Sequence, residues 1–432
     1  MQTLEGRRFL ITQSSLRLLA GSEINTLELA EYLQQQGAEV VVYTYFFSDP
    51  IVPFFKDRHI RVTTDEEGLR LEDFDYIWVH HQVLPLPFIK QLAGERPTDM
   101  PAFIFLHMSG LETHFLEQAH IWDMERRIAS NVLFVSDEAK ENIDKHSLDL
   151  SSLPTGMYRN PAPLKFSEVP HVPSKKAKSV LIVTNHPAEE VLEAKEILSR
   201  QGYSVVSAGE HQDEYRLIEP EYLRQFDVVV TIGKTVQYSL LANVPVYVYD
   251  VWGGPGYLNK ANEATAASHN YSGRGFDKKD AATIAAEIIN GREKAVQYQA
   301  KNHRRFVREL SIGTVLPEII KNTVPRQIKP FDARYAQYLI ATLTMLKYKF
   351  YHENLLVQDK ETIIALEQSN AEKERVITER DQAIQDIRGS VSFRVGYAMV
   401  SPFRQLKQAL RSLAYISRNF LLELSSRMLR QQ

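Results

Sequence analysis

The sequence predicts an α/β protein made of two Rossmann-like, doubly wound domains followed by a C-terminal helical extension. Three observations carry that prediction. Short apolar runs alternate with helical patterns in two separate series, a Pro-, Ser- and Lys-containing stretch divides the series, and the chain beyond residue 352 abandons strands for helical spacing. At 432 residues the chain exceeds one ordinary core and fits about two domains with an addition.

In the first series the strand candidates are Phe9 to Thr12, Val40 to Tyr43, Tyr76 to His80, Phe103 to His107 and Val132 to Val135. Between the first two, Ile24, Leu27, Ala30 and Leu33 recur at helical spacing, Ser22 is placed to cap the helix and Gly37 ends it, which makes a βαβ unit. The stretch from Leu153 to Ser174 is too irregular for a regular element and marks a domain boundary. The second series has strands at Val180 to Thr184, Ser204 to Ser207, Val228 to Ile232 and Val246 to Tyr249, a clear helix at Ala188 to Arg200, and helices from Asp280 through Ile320 and around Tyr335 to Tyr351. The expected domains are 1–165 and 175–325, with a connecting helix at 326–352, a long helix at 353–388 and a basic tail at 389–432.

The densest segment is DVVVTIGKTVQYSLLANVPVYVYDVWGGPGYL, Asp227 to Leu258. An apolar strand runs into Gly233, and Lys234 and Thr235 open a helix whose free N–H groups can face a phosphate, although every doubly wound protein has crossovers of this kind. Two parallel sheets facing each other leave a cleft at the carboxyl ends of their strands, where ligands of open sheets bind.

Composition narrows the function. Lys plus Arg (51) nearly balance Asp plus Glu (54), so no global field recommends a nucleic-acid partner. Without cysteine there are no disulfides, thiolate metal sites or cysteine nucleophiles. No apolar run approaches the roughly 20 residues of a membrane span, and the N-terminus MQTLEGRRFLITQ lacks the features of a signal peptide, so the expected location is cytoplasmic.

In the tail, Leu356, Ile363, Asn370, Ile377 and Ile384 fall seven residues apart. Asp359, Lys373 and Arg380 occupy the intervening core positions, so the segment reads either as a coiled coil joining copies of the chain or as a lone solvated helix. After Gly389 and Ser390, the segment from Pro402 carries Phe403, Leu406, Leu410, Leu413, Phe420, Leu424 and Met428 on one face. Arg404, Lys407, Arg411, Arg418, Arg427 and Arg430 stand against the single Glu423. Such a helix fits an anionic membrane interface, the alternative being packing on the globular body or a partner subunit.

The stretch AGSEINTLELAEYLQQQGAEVVVYTY, Ala20 to Tyr45, resembles the N-terminal glycine-and-glutamate loop, helix and strand of retaining nucleotide-sugar glycosyltransferases of GT-B architecture, of the family four type. Further similarity lies in Phe103 to His107 followed by MSG, in VSDEAKENI at Val135 to Ile143, in Asn160 and Pro161, and in the Gly233 crossover. WGGPGYLN, NYSGRGF and the tail's SVSFRVGYAMVSPFRQLK resemble a branch associated with bacterial surface polysaccharides. Family members present two glutamates eight positions apart on the second-domain crossover, whereas Thr231 to Pro245 holds no acid, and Gln237 or Tyr238 stands about where the later glutamate would be.

The resemblance implies transfer of a sugar from a nucleotide-diphosphate donor to a glycan or lipid-linked acceptor, at the cytoplasmic membrane face. Lys234 and the amides after Gly233 would neutralise the leaving diphosphate, approached by Gly21 and Ser22 from the opposite domain, with Arg274 in reach. The bland readings are a solvated helix-start lysine and a surface loop arginine. His107, closing an apolar strand, is expected at the cleft rim as the group that bonds a sugar hydroxyl, with Glu112 assisting as base; otherwise it is a histidine satisfied at a strand end. His80 and His81 also end a strand, and at most one of them faces the cleft. Asn185, Gly209 and Glu210 are expected to line the nucleotide pocket, or to be ordinary loop residues. No Asp-x-Asp dyad closes a strand and the histidines lack ligand spacing, so neither metal nor cofactor is expected. The rivals are a nucleotide-sugar epimerase, which shares the architecture, and a noncatalytic partner in a polysaccharide assembly complex.

Overall fold

A computed structural model describes residues 4–94, 96–111, 122–145, 150–169 and 178–428, with side chains in the last helix described only as far as Ser417, Pro402 and Ile416 excepted. Glu112 and Arg430 lie outside the described residues, as do the side chains of Arg418, Phe420, Glu423, Leu424, Arg427 and Met428. Two units are present, residues 1–354 and 355–432.

The first unit opens with β1 (Arg8–Gln13), α1 (Gly21–Gln35), β2 (Glu39–Thr44), α2 (Val52–Asp57), β3 (Arg61–Thr63), β4 (Tyr76–His80), α3 (Leu86–Ala93), β5 (Ala102–His107), α4 (Trp122–Ile128), β6 (Ala129–Phe134), α5 (Asp137–Lys145) and β7 (Thr155–Met157). It continues with α6 (Lys165–Glu168), β8 (Ser179–Val183), α7 (Glu189–Arg200), β9 (Ser204–Ala208), α8 (Pro220–Leu223), β10 (Val228–Thr231), α9 (Lys234–Ala242), β11 (Val246–Asp250), β12 (Gly253–Tyr257), α10 (Glu263–Ser268), α11 (Ala281–Leu310), α12 (Ile312–Lys321) and α13 (Ala333–Gly389).

The first sheet has the order β3-β2-β1-β4-β5-β6-β7, parallel throughout, so the strand order reverses between β1 and β4. The second has the order β12-β11-β10-β8-β9 and reverses between β8 and β10. Its strands alternate as a sheet covered on both faces must: Val229, Val246 and Val248 enter one core, and Val228, Val230, Tyr247 and Tyr249 enter the other. Each strand expected from the sequence is present, with ends shifted by up to three residues. Three more were not expected. Arg61–Thr63 and Thr155–Met157 are too short to show a period, and the glycine-rich Gly253–Tyr257 is an antiparallel edge strand on β11.

The two crossings between domains are stitched together. Ala162 N–H donates to Leu310 O at 2.7 Å, and Ile312 N–H to Ala162 O at 2.9 Å. Beyond that point the chain returns to the first domain: Leu316, Ile320, Phe331, Leu339 and Leu343 are buried in the first-domain core. The sequence groups residues 312–325 with the second domain, whereas the packing groups them with the first.

Residues 355–432 comprise the rest of α13 and α14 (Val391–Met428), with Ser390 between the two helices and no further break before Pro402. Leu356, Ile363, Ile377 and Ile384 are exposed, as are Phe403, Leu406, Leu410 and Leu413. Among the described residues no helix is long and apolar enough to cross a membrane.

Candidate active site

A cavity of about 420 Å³ opens where the two strand-order reversals face each other. Gln13 at the end of β1 and His81 just past β4 supply one wall, and Gly233 and Lys234 at the end of β10 supply the opposite one. The first turn of α1, from Gly21 to Glu23, points into it from the first domain. The first turn of α9 meets it from the second, entered through Gly233 at φ 58°, a conformation that needs no Cβ. Two helix N-termini therefore converge on one space, and each presents backbone N–H groups and the positive end of a dipole.

The wall over β4 is held in an uncommon geometry. His81 and Gln82 are consecutive non-glycine residues at φ 52° and 55°. Such strain, about 1–3 kcal/mol per residue, persists only where neighbours over-determine it. Here they do: Ser14 Oγ and His81 Nδ1 share a hydrogen bond of 2.9 Å, and Gln82 Nε2 donates to Glu125 Oε2 at 3.2 Å. Glu125 is completed by His107, whose Nε2 lies 2.9 Å from Oε1, and the His107 ring stacks on Phe134. His107 is only 1% exposed and does not line the cavity. The expectation that it emerges at the rim is corrected: the strand end turns its side chain inward to Glu125, and Met108 and Ser109 reach the cavity instead.

His80 points away from the cavity. The Trp78 indole donates to its Nε2 at 2.9 Å and Thr26 Oγ1 sits 3.1 Å from its Nδ1, while burial drives its pKa down to about 3.

Lys234 lines the cavity, but its charge is engaged. Its Nζ lies 2.7 Å from Glu28 Oε2 on α1 and donates to Pro161 O at 3.1 Å, and the Tyr238 hydroxyl donates to the other Glu28 oxygen. Burial raises the Glu28 carboxyl, against the pull of Lys234, and raises the Tyr238 hydroxyl well above its ordinary range. The free leaving-group cation expected at Lys234 is thus a buried tie between domains. A second tie spans Arg274, expected at the phosphates, and Glu138 of α5, with Nε to Oε1 at 2.8 Å. Gln237 is fully buried and donates to Arg159 O at 3.2 Å. Thr235 sits half-buried in the first turn of α9, its carbonyl accepting from Ser239.

Asn185, Gly209 and Glu210 lie together at the ends of β8 and β9, where Asn185 Oδ1 accepts from Glu210 N–H at 2.9 Å; none of the three lines the cavity. Near them Asp250, closing β11, is 6% exposed, and burial pushes its carboxyl up to about 6.

Gln13, Ser14, Ser15 and Glu23 line the cavity without having been singled out in the sequence, and Asn160 and Asn270 stood there only within motifs. Gln13 and Ser14 gave no signal beyond ending an apolar strand. Asn160 and Asn270, at φ 46° and 54°, are joined by a bond of 3.1 Å from Asn160 Nδ2 to Asn270 Oδ1. Glu23 also lines the cavity; burial raises its carboxyl, and Ser22 Oγ donates to it at 2.7 Å. Among the described residues no three His, Asp or Glu side chains gather as a metal site requires.

Two reversing sheets, parallel but for the edge strand β12, a ligand-sized cleft between them and a C-terminal return to the first domain are now in place. The fold is of the GT-B kind. No protein-family model and no curated protein matches the chain. Among solved structures it is similar to a glycosyltransferase from Rickettsia africae ESF-5, 12% identical with a TM-score of 0.48, over 73% of this chain and 97% of that one. It is also similar to Anabaena HepE in complex with UDP, 13% identical with a TM-score of 0.49, over 73% and 98%. A third is an alpha-glucosyltransferase in complex with UDP and a 13-mer DNA, 11% identical with a TM-score of 0.49, over 73% and 99%.

Proposed function

We propose that this chain is a glycosyltransferase that moves a sugar from a nucleotide-diphosphate donor to a glycan or lipid-linked acceptor in cell-surface polysaccharide synthesis, without a metal. The observation that carries the reading is the convergence of the α1 and α9 N-termini on one cavity over the strand ends of both sheets. Breaking the bond between the sugar's C1 and the diphosphate oxygen leaves negative charge on that oxygen. Two sets of fixed N–H groups in a partly closed space stabilise it without reorganising. The acceptor oxygen then bonds to C1, and His81 is the imidazole in the cavity placed to take up the hydroxyl proton.

The tail gives the acceptor side its setting. The exposed apolar residues Phe403, Leu406, Leu410 and Leu413, with Arg404, Lys407 and Arg411 among them, support an anionic cytoplasmic membrane surface as the partner of α14. The exposed heptad of α13 supports a second copy of the chain as its partner.

The test is a donor screen. The full chain is incubated with labelled nucleotide sugars and extracted membrane lipids, beside a His81→Ala variant. Transfer to lipid or glycan, reduced about 100-fold or more in the variant, is expected. Donor turnover without an acceptor would identify an epimerase. Failure to bind any nucleoside diphosphate would mark a noncatalytic assembly partner.

A further inference from the structure

Gln13 ends β1 with an exposure of 0%, lines the cavity, and neither atom of its side-chain amide has a hydrogen-bond partner among the described residues. An unpaired buried amide is costly, so one lining a cavity calls for a ligand. Its surroundings indicate which part of a ligand. Ser14, His81 and Asn160 line the cavity with a hydroxyl, an imidazole and an amide, each held in place by a bond of its own: Ser14 with His81, and Asn160 with Asn25 and Asn270. The charges that adjoin them are engaged, Lys234 by Glu28 and Glu23 by the Ser22 hydroxyl. A wall of hydroxyl, imidazole and amide groups, which can donate and accept, suits hydroxyls, which do the same. The charge of a diphosphate belongs with the helix N-termini on the other side of the same space.

Resting on the glycosyltransferase reading, we propose that Gln13 is a specificity-determining residue for the transferred sugar: its amide carbonyl accepts from one ring hydroxyl and its NH₂ donates to the neighbouring one. The diphosphate then spans from this pocket to the amides at Gly21, Ser22 and Gly233. Ser14 and His81 close the same ring position from the side, and the bond between them fixes the face they present.

Isothermal titration of the full chain with UDP, GDP and dTDP, each free and as UDP-glucose, GDP-mannose and dTDP-rhamnose, tests this. Gln13→Leu keeps the volume and removes both polar atoms; Gln13→Glu keeps the acceptors and removes the donors. Both variants are expected to lose at least about tenfold in affinity for the sugar conjugate that the wild type prefers, while affinity for the free nucleotide stays unchanged. Because the amide is unpaired, Gln13→Leu is also expected to unfold at the same or a higher temperature than wild type. Unchanged affinity for the conjugate, an equal loss for conjugate and free nucleotide, or a lower unfolding temperature in Gln13→Leu would overturn the assignment of Gln13 alone. A wild type that binds none of the six overturns the glycosyltransferase reading beneath it.

Discussion

The Trp78 indole N–H can only donate, so the His80 Nε2 that receives it at 2.9 Å must be the bare nitrogen. The proton of the neutral ring then sits on Nδ1 and points to Thr26 Oγ1, whose own hydrogen goes to Ser22 O at 3.1 Å on the first turn of α1. A chain of bonds thus runs from the first sheet to the helix end at the cavity, and it requires His80 to stay neutral. The unfolded imidazole protonates near 6.5 and the folded one only near about 3. The unfolded state therefore binds more protons between those values. This contribution to stability is full above pH 6.5 and is lost, on the order of 4 kcal/mol in all, as the pH falls toward 3. Urea unfolding across that range is expected to show the decline, and His80→Gln, which keeps an acceptor for Trp78 without titrating, to flatten it. The buried Glu28–Lys234 pair behaves differently. Glu28→Ala strands a buried ammonium and is expected to cost about 3–5 kcal/mol, whereas Glu28→Met combined with Lys234→Met is expected to cost less, which double-mutant unfolding measures. None of this was legible in the sequence. Lys234 at a helix start looked free because its partner comes from the other domain, and His107 looked like a rim residue because its partner Glu125 stands 18 positions further on, in a separate helix. Gly21, Ser22, Gly233 and Lys234 stood in the sequence at helix starts, which are local, although Ala20 rather than Ser22 is the N-cap of α1; the solitude of Gln13 is set wholly by what fails to pack near it.

At the scale of elements, strands with a strong apolar run were readable, and those without one were not. β12 is mostly glycine, which carries no strand signal, and its identity comes from the open edge of β11. Helix α12 has a regular apolar face that shows that it packs without showing on which domain; the exchange between Ala162 and Leu310–Ile312 decides that. Gly209 shows how closely the loops after β8 and β9 approach: a Cβ there would lie 2.0 Å from Thr184 O, and the residue is at φ 145°. Gly209→Ala is therefore expected to destabilise by about 1–3 kcal/mol, measured by thermal unfolding. In α13, Asn370 interrupts a heptad row of Leu356, Ile363, Ile377 and Ile384, the position where one polar residue sets register at some expense of stability. Sedimentation velocity is expected to find a dimer that becomes a monomer in Ile363→Glu combined with Ile377→Glu, with nucleotide affinity unchanged. A wild-type monomer would remove the self-association proposal.

For the whole molecule, the proposed function joins a nucleotide-sugar site in the cleft to a tail suited to a charged surface. Vesicles with anionic headgroups are expected to bind the full chain and to release it as ionic strength rises, while a chain ending near Ile387 does not bind. Two ties join the domains beside the cleft, Glu28 with Lys234 and Tyr238, and Glu138 with Arg274. A second and larger cavity of about 680 Å³ lies between β12 and α11, lined by Tyr257, Leu258, Glu287 and Lys294 among others, and has no part in the proposed chemistry. Hydrogen exchange with and without the preferred nucleotide sugar separates the two sites most directly. Slowed exchange is expected at residues 13–23 and 233–236 together, on both sides of the cleft. Protection confined to residues 255–259 and 283–295, or at neither cleft wall while sugar is being transferred, would contradict the proposed site.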